Sequence, residues 1–475
     1  MIRFAETPAH LSRRAALQLS TCGFGYLAFA GLAAETAAKE AGDHPLAPKD
    51  PHFAPKAKRV VFLCMSGGPS HVDTFDHKPK LTADDGKNPP AGVGRGFGGG
   101  KLLGSPWKFK PAGKSGLMIS EAFPELAKQA DHLCLLNGMH TSVPAHPQAF
   151  LQLHTGTSQF VRPSLGAWVL YGLGTQNQNL PGFISINPPT SNGGAQNYGS
   201  GFLPAMYQGT KLGGEARGFG AFGGGGGTPK LPNIANPRLN ADAQRAQIDF
   251  IQALNKEDLA RDGVNPQVEG VIESYELAFR MQKDVPKLMD LSTESKETQK
   301  LYGLDERGGS GFGRQCLLAR RFLEAGVRFV EVTYGNWDQH RNLKADIDRH
   351  AAAIDRPIAA LLADLKRKDM LKDTLVVWSG EFGRTPYSQG EDGRDHNNKG
   401  FTAWMAGGGV KGGFVHGKTD DYGYEAVEGK VHTHDLHATI LHLLGLDHEK
   451  LTYKYAGRDF RLTDVHGNVA KEILA

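Results

Sequence analysis

The sequence predicts an α/β fold, a three-layer α/β/α sandwich around a largely parallel central sheet, with glycine-rich insertions. Short runs of apolar residues end at glycines or polar residues, as strands buried on both faces do. Segments whose apolar residues recur three and four positions apart lie between several of these runs. This alternation of strand and helix is typical of a parallel sheet with helices on both faces.

The composition is that of a globular protein. Of the 475 residues, 40% are hydrophobic and 22% are charged, which excludes disordered, collagen-like and coiled-coil chains. The length suits one large α/β domain or two. The net charge of +4 is too small for nucleic-acid binding driven by charge, so no nucleic-acid partner is expected. Oligomeric state stays open.

The first residues resemble an export signal. Arg13 and Arg14 form a twin arginine, and an uncharged stretch follows and ends in small residues near Ala34. We therefore expect a twin-arginine signal at 1–34, a linker at 35–57 and a periplasmic or secreted protein. An uncleaved signal would be the only membrane anchor.

The domain is predicted to span 58–475 and to open with a strand at 58–68, where an apolar run stops at glycines. Two insertions interrupt it, at about 83–116 and 188–310, and the second is expected to contain polar helices from about 240. Further strands are predicted at 132–137, 183–186, 327–333, 374–379 and 401–406, and the clearest helices at 315–325 and 347–368.

The cysteines predict no disulfide framework. Cys64, Cys134 and Cys316 lie in patterns typical of buried residues, and an odd number remains once the signal is removed. None of them has a Cys-x-x-Cys neighbour, so we expect no cysteine zinc site.

Polar clusters follow several predicted strands, where a parallel sheet would bring them to one edge. A carboxylate and an imidazole two residues apart suit Zn²⁺, Mn²⁺ or iron better than Mg²⁺ or Ca²⁺. Any of these clusters can also be an ordinary turn or cap, as Asp435 could be for the helix after it. The clusters contain Ser70, Asp73 and Thr74, then Asp338 and His340, then Glu381 and Arg384, then Asp395 and His396, and finally His434.

The order of these motifs resembles a known family. GGPSHVDTFDHKP, WDQH, EFGRTP with GRDHN, and HDLHATILHLLG are similar to the secreted family catalogued as domain of unknown function 1501, over about 58–475. That family is placed near the alkaline phosphatases and sulfatases. The resemblance implies an alkaline phosphatase-like fold that holds one or two divalent metal ions, with zinc, manganese and calcium as candidates.

The resemblance also suggests roles for individual residues. Arg384 would bind an anionic leaving group, and Ser70 or Thr74 would replace the nucleophile or clamp the substrate. His146 stands where sulfatases carry a Cys or Ser, so it would be a ligand or a nucleophile. The implied metal ligands are Asp73, Asp338, His340, Glu381, Asp395, His396 and His434.

Departures from the superfamily pattern shape the expected activity. Neither C-x-P-x-R nor S-x-P-x-R occurs, and Ser66 and Gly67 replace the paired acids at the end of the first strand. We expect a metal-dependent hydrolase of a phosphate or sulfate ester, small or polysaccharide, without a formylglycine nucleophile. The alternative is a non-catalytic protein that binds a polysaccharide or a protein on a degenerate hydrolase scaffold.

Overall fold

A central sheet organises residues Lys49–Ala475, which form one compact unit in this computed structural model. The structure describes residues 46–93, 100–213, 229, 234, 238–262, 266–305 and 310–475. The predicted export signal at 1–34 and the glycine run 223–227 lie outside the described residues.

Nine strands from the described part of the chain make up the sheet. Apart from the short edge strands their residues are nearly all buried, as expected for strands covered on both faces. They are β1 (Arg59–Met65), β4 (Leu133–His140), β5 (Phe183–Ile186), β6 (Thr210–Leu212), β7 (Phe329–Tyr334), β8 (Thr374–Ser379), β11 (Phe401–Ala406), β12 (Phe414–His416) and β15 (Val431–His432).

The strand order is β12-β4-β11-β8-β1-β7-β5-β6, with β15 also paired to β4. β1 is parallel to both neighbours, Val60 pairing with Phe329 and Leu375. β11 runs antiparallel to β8 and β4, while the other described pairs are parallel. The sheet is therefore mostly parallel, as the sequence predicts, and β8, β1 and β7 end at the same edge.

Smaller hairpins and helices surround the sheet. The hairpins pair β2 (Phe109–Ala112) with β3 (Leu117–Ser120), β9 (Gly383–Gln389) with β10 (Gly393–Asn397), β13 (Lys418–Thr419) with β14 (Ala426–Glu428), and β16 (Tyr453–Tyr455) with β17 (Arg458–Phe460). The helices are α1 (His71–Thr74), α2 (Pro79–Ala83), α3 (Pro124–Ala127), α4 (His146–Thr155), α5 (Leu165–Leu173), α6 (Ala241–Asp262), α7 (Pro266–Met289), α8 (Lys296–Leu301), α9 (Gly311–Glu324), α10 (Leu343–Arg367) and α11 (Thr433–Leu443).

Helices cover both faces of the sheet. Val61, Leu63 and Met65 of β1 share a core cluster with apolar residues of α9 and α10. On the opposite face, the Phe62 ring lies 5.9 Å from the His154 ring of α4. α11 packs on α4 through a 2.7 Å hydrogen bond between His437 Nε2 and the Leu153 carbonyl. This is the predicted three-layer arrangement.

The predicted strands and helices are present at nearly the predicted positions. β1, β4, β5, β7, β8 and β11 and the helices α9 and α10 correspond to apolar runs and helical patterns of the sequence. The polar helices expected after residue 240 are α6 and α7. The β9–β10 hairpin was not predicted, because its polar residues do not form an apolar run. Within the described residues, no helix combines the length and apolar character needed to cross a membrane.

His350 of α10 supports the loop that follows β7, and its protonation should make the free energy of unfolding depend on pH. Its Nδ1 and the Tyr334 hydroxyl form a 3.0 Å hydrogen bond, and its ring lies 5.2 Å from the Trp337 ring. Burial, assisted by Arg349, lowers the pKa of His350 to about 4.

The unfolded chain takes up this proton near pH 6.5, whereas the folded chain does so only near pH 4. Stability is therefore lost as pH falls from about 6.5 to 4, by about 3 kcal/mol in total from this residue. His350→Gln should lose less stability over this range, as measured by urea unfolding at several pH values. An unchanged slope would contradict this assignment.

Candidate metal centre

Four side chains with metal-binding atoms converge at one edge of the sheet. His146, Asp338, His340 and His396 each offer one donor atom, and these atoms all lie within 4.8 Å of one another. We call these four residues the donor group. All four were among the site residues predicted from the sequence.

The topology explains why they meet. Asp338 and His340 follow β7, whose carboxyl end lies beside that of β1. His396 belongs to the β9–β10 hairpin, which follows β8 on the other side of β1. His146 is the first residue of α4. Sites in parallel sheets form beyond the carboxyl ends of the strands, and this group has that position.

The donor atoms surround the Asp338 carboxylate. Its Oδ1 lies 3.1 Å from His146 Nε2, 2.9 Å from His340 Nε2 and 3.3 Å from His396 Nε2. His340 Nε2 and His396 Nε2 are 2.9 Å apart. Ligands at zinc bond lengths on a tetrahedral ion are about 3.3 Å from one another. The group is therefore close to the spacing of a zinc coordination shell.

A separate acceptor faces the other ring nitrogen of each histidine. His146 Nδ1 lies 2.6 Å from Glu381 Oε1, and His396 Nδ1 lies 2.7 Å from the Pro144 carbonyl oxygen. His340 Nδ1 hydrogen bonds to the side-chain oxygen of Gln389. Since these oxygens only accept, each Nδ1 carries the hydrogen, and a neutral ring presents an Nε2 lone pair to the group. Metal-binding histidines are typically oriented in this way.

Charge concentrates on Asp338 and His146. Burial alone would raise the pKa of Asp338, but hydrogen bonds from the three histidines, with Arg384, lower it far below its usual value. Burial alone would lower the pKa of His146, but its bonds to Asp338 and Glu381 raise it to about 9. In the absence of an ion, His146 is therefore an imidazolium at neutral pH, and a metal ion would replace its Nε2 proton.

The side chains of the donor group are partly exposed to solvent, whereas Glu381, which orients His146, is buried. The exposed fractions of the side chains are 14% for His146, 29% for Asp338, 34% for His340 and 19% for His396. The Glu381 side chain is 0% exposed. An ion held here would remain open to small molecules, which is typical of catalytic rather than structural metal sites.

Arg384 lies beneath the group and is fully buried. It donates to the Gly68 and Arg394 carbonyl oxygens at 2.9 and 3.2 Å, to the Gly67 carbonyl, and to Asp338 Oδ1 at 2.6 Å. All three guanidinium nitrogens are thus engaged inside the protein. This geometry favours a positioning role for Arg384, which orients Asp338, over the predicted contact with a leaving group.

The glycines after β1 serve close backbone packing. Gly67 has φ of +114°, and a Cβ atom there would lie 2.6 Å from the Trp337 nitrogen and 2.9 Å from the Asp338 nitrogen. Its N–H donates to both Glu381 oxygens, at 3.0 and 3.1 Å. The absence of a side chain at Gly67 therefore admits the backbone that carries Asp338.

The cluster predicted at Ser70, Asp73 and Thr74 is buried away from the donor group. The Ser70 hydroxyl donates to Asp73 Oδ2 at 2.5 Å. Arg394 donates two hydrogen bonds to the same carboxylate, from Nε to Oδ2 at 2.7 Å and from Nη2 to Oδ1 at 3.1 Å. Ser70, Asp73, Thr74 and Arg394 are all 0% exposed. This geometry favours a structural role over the predicted roles as nucleophile or metal ligand.

Two other predicted ligands also lie outside the donor group. Asp395 Oδ1 accepts from the His396 N–H at 2.8 Å, and the Asp395 N–H donates to the Thr385 hydroxyl. His434 Nε2 lies 2.8 Å from the Gly156 carbonyl oxygen, and its ring stacks on His466. The N-cap of α11 is His432 and not Asp435; Asp435 is the N3 residue of the capping box, and its Oδ2 accepts from the His432 N–H at 2.8 Å.

Sequence patterns could not reveal several supporting residues. Gln389 and the Pro144 carbonyl orient two histidines of the donor group, and Arg394 balances Asp73, but each is distant along the chain from its partner. Glu331 does carry a signal in the sequence, since it is a carboxylate in a strand predicted to be buried on both faces.

Solved structures that align with this chain include several hydrolases. PsFucS1 sulfatase from Pseudoalteromonas sp. has a TM-score of 0.38 and 14% identity, covering 89% of this chain and 72% of its own. A TAB5 alkaline phosphatase mutant has a TM-score of 0.35 and 11% identity, covering 83% and 99%. Phosphonate monoester hydrolase SpPMH from Silicibacter pomeroyi has a TM-score of 0.31 and 13% identity, covering 68% of each chain. Likeness at this level implies no common substrate or reaction.

No curated protein matches the sequence. The family described as "Protein of unknown function (DUF1501)" matches residues 57–474, which is nearly the whole of the compact unit. This match spans the donor group and all the motifs that predicted it. The chain therefore belongs to this family of unknown function.

Proposed function

We propose that this protein is an exported, metal-dependent hydrolase that cleaves a phosphate or sulfate ester without a formylglycine nucleophile. One observation carries the proposal: three histidines turn Nε2 toward one carboxylate while their Nδ1 atoms are held by Glu381, Gln389 and Pro144. Imidazole nitrogen with carboxylate oxygen is the donor set of catalytic zinc and related ions. The number of ions proposed at this group is one.

The residues of the chain have distinct tasks in this proposal. His146, Asp338, His340 and His396 would hold the ion. Such an ion, when bound, supplies Lewis-acid polarisation of an ester oxygen, worth several kcal/mol of the barrier. Glu381 orients His146, and Arg384 orients Asp338. Because Ser70 and Thr74 are fully buried, we assign the attack on the ester to water.

The metal content of the purified protein tests the proposal. The protein should be recovered after export, and its intact mass reports whether 1–34 has been removed. We expect about one Zn²⁺ or Mn²⁺ per chain at the donor group, lost in the double variant His340→Ala, His396→Ala. His434→Ala is the matched control: a buried histidine outside the group, whose loss should leave the metal bound.

Hydrolysis is measured on p-nitrophenyl phosphate and p-nitrophenyl sulfate with the same proteins. Activity on either ester in wild type and His434→Ala, but not in the double variant, would support the proposal. If the protein binds metal but hydrolyses neither a phosphate nor a sulfate ester, the proposed reaction is wrong and the proposed metal site is retained. A donor group that stays empty in excess Zn²⁺ and Mn²⁺ would overturn both, and would favour the non-catalytic binding protein.

A further inference from the structure

A second set of metal-binding side chains lies inside the protein. Cys64, His154 and Glu331 each offer one donor atom, and the three atoms lie within 4.8 Å of one another. All three residues are 2% exposed or less. None of them belongs to the donor group at the sheet edge, and we call them the interior trio.

Strand register and helix packing bring the trio together. Phe62 of β1 pairs with Glu331 of β7, and Cys64 pairs with Thr333, two residues further along each strand. Residues two apart in a strand face the same side, so Cys64 and Glu331 share one face of the sheet. His154, near the end of α4, lies over that face, because its ring packs on Phe62.

The second ring nitrogen of His154 faces Glu331. Its Nδ1 lies 2.8 Å from the Phe150 carbonyl oxygen, so Nδ1 carries a hydrogen. Its Nε2 lies 3.4 Å from Glu331 Oε1 and has no hydrogen-bond partner among the described residues, although it is buried. This separation is long for a charge-assisted hydrogen bond but close to the spacing of about 3.3 Å between two ligands of one zinc ion.

Two hydroxyl groups lie beside the Glu331 carboxylate. Glu331 Oε1 accepts from the Thr333 hydroxyl at 3.1 Å and from the Ser185 hydroxyl at 3.4 Å. The alternative to a metal ion is a buried ion pair between protonated His154 and Glu331, in which the Cys64 sulfur has no role. A divalent cation would use all three side chains, since a thiolate and a carboxylate together cancel its two charges in a dry interior.

We propose that Cys64, His154 and Glu331 form a closed, buried site for Zn²⁺ or another thiophilic divalent cation, separate from the donor group. A thiolate and an imidazole suit zinc, and a site without solvent access is typical of structural zinc. The Thr333 hydroxyl, beside Glu331, is placed to act as a fourth donor. The absence of a Cys-x-x-Cys motif does not weigh against the site, because its ligands come from three separate elements.

Cobalt substitution tests the site without reference to activity. Protein produced in medium supplemented with Co²⁺ should show a sulfur-to-cobalt charge-transfer absorption in the near ultraviolet. The donor group has no sulfur and cannot give this band. We expect the band to persist in the double variant His340→Ala, His396→Ala, which should retain about one Co²⁺ per chain. Loss of the band in this double variant would overturn the proposal.

Cysteine variants identify the sulfur. Cys64→Ser should abolish the band and lower the metal content by about one ion per chain. Cys316→Ser is the matched control, because Cys316 is equally buried but lies on α9 outside the trio. The absence of a band in Co²⁺-loaded wild type, or its loss in Cys316→Ser, would overturn the proposal. If Cys64→Ser does not fold, His154→Gln serves in its place and should also lose the band.

Discussion

Asp73→Ala should lower the free energy of unfolding by about 3–5 kcal/mol, among the largest effects expected of a single substitution in this protein. Asp73 and Arg394 are both 0% exposed, and their side chains meet through two hydrogen bonds of 2.7 and 3.1 Å. Without the carboxylate, the guanidinium would remain buried, and its remaining acceptors among the described residues would be the Thr385 and Leu103 carbonyl oxygens. Uncompensated charge in the interior is the cause of the loss.

Urea unfolding followed by circular dichroism measures this effect. Asp258→Ala is the control, because Asp258 pairs with Arg261 at 2.9 Å on the surface and its loss should change stability little. Asp73→Asn retains the size and one oxygen acceptor, so it should lose less than Asp73→Ala. If Asp73→Ala were as stable as the surface variant, Asp73 would not have the structural role assigned to it, and its predicted role as a metal ligand would regain support.

Glu381→Gln should weaken metal binding at the donor group by about 10–100-fold, the usual effect of removing a carboxylate that orients a ligating histidine. Glu381 is fully buried and lies 2.6 Å from His146 Nδ1. Glutamine keeps an oxygen for this hydrogen bond and for the Gly67 N–H, but it loses the negative charge that makes His146 a stronger ligand. The fold should be retained.

Competition with a chromogenic zinc chelator gives the affinity. Gln389→Leu is the parallel variant, because Gln389 is an uncharged partner of His340 and its loss should weaken binding less. His434→Ala should leave the affinity unchanged. Equal Zn²⁺ affinity in Glu381→Gln and wild type would show that His146 does not bind the ion through Nε2.

The sequence predicts which residues lie near the site better than it predicts which way their side chains point. His146 was predicted from the family resemblance, because it stands where sulfatases carry a Cys or Ser. Asp338, His340 and His396 were predicted because their clusters follow predicted strands, and parallel strands end at one edge. Ser70 and Asp73 satisfied the same rule, yet both turn inward. Position after a strand places a residue at the edge but does not decide whether its side chain faces the site or the interior.

The sequence by itself determined the fold class and the edge of the sheet where the site forms. Apolar runs specify buried strands locally, and short connections leave few topologies. The tertiary structure alone decided the direction of β11, the partners Glu381, Gln389 and Pro144 of the three histidines, and the meeting of Cys64 with His154 and Glu331. Those contacts join residues far apart in the chain, and their geometry depends on packing and register, which no local pattern encodes.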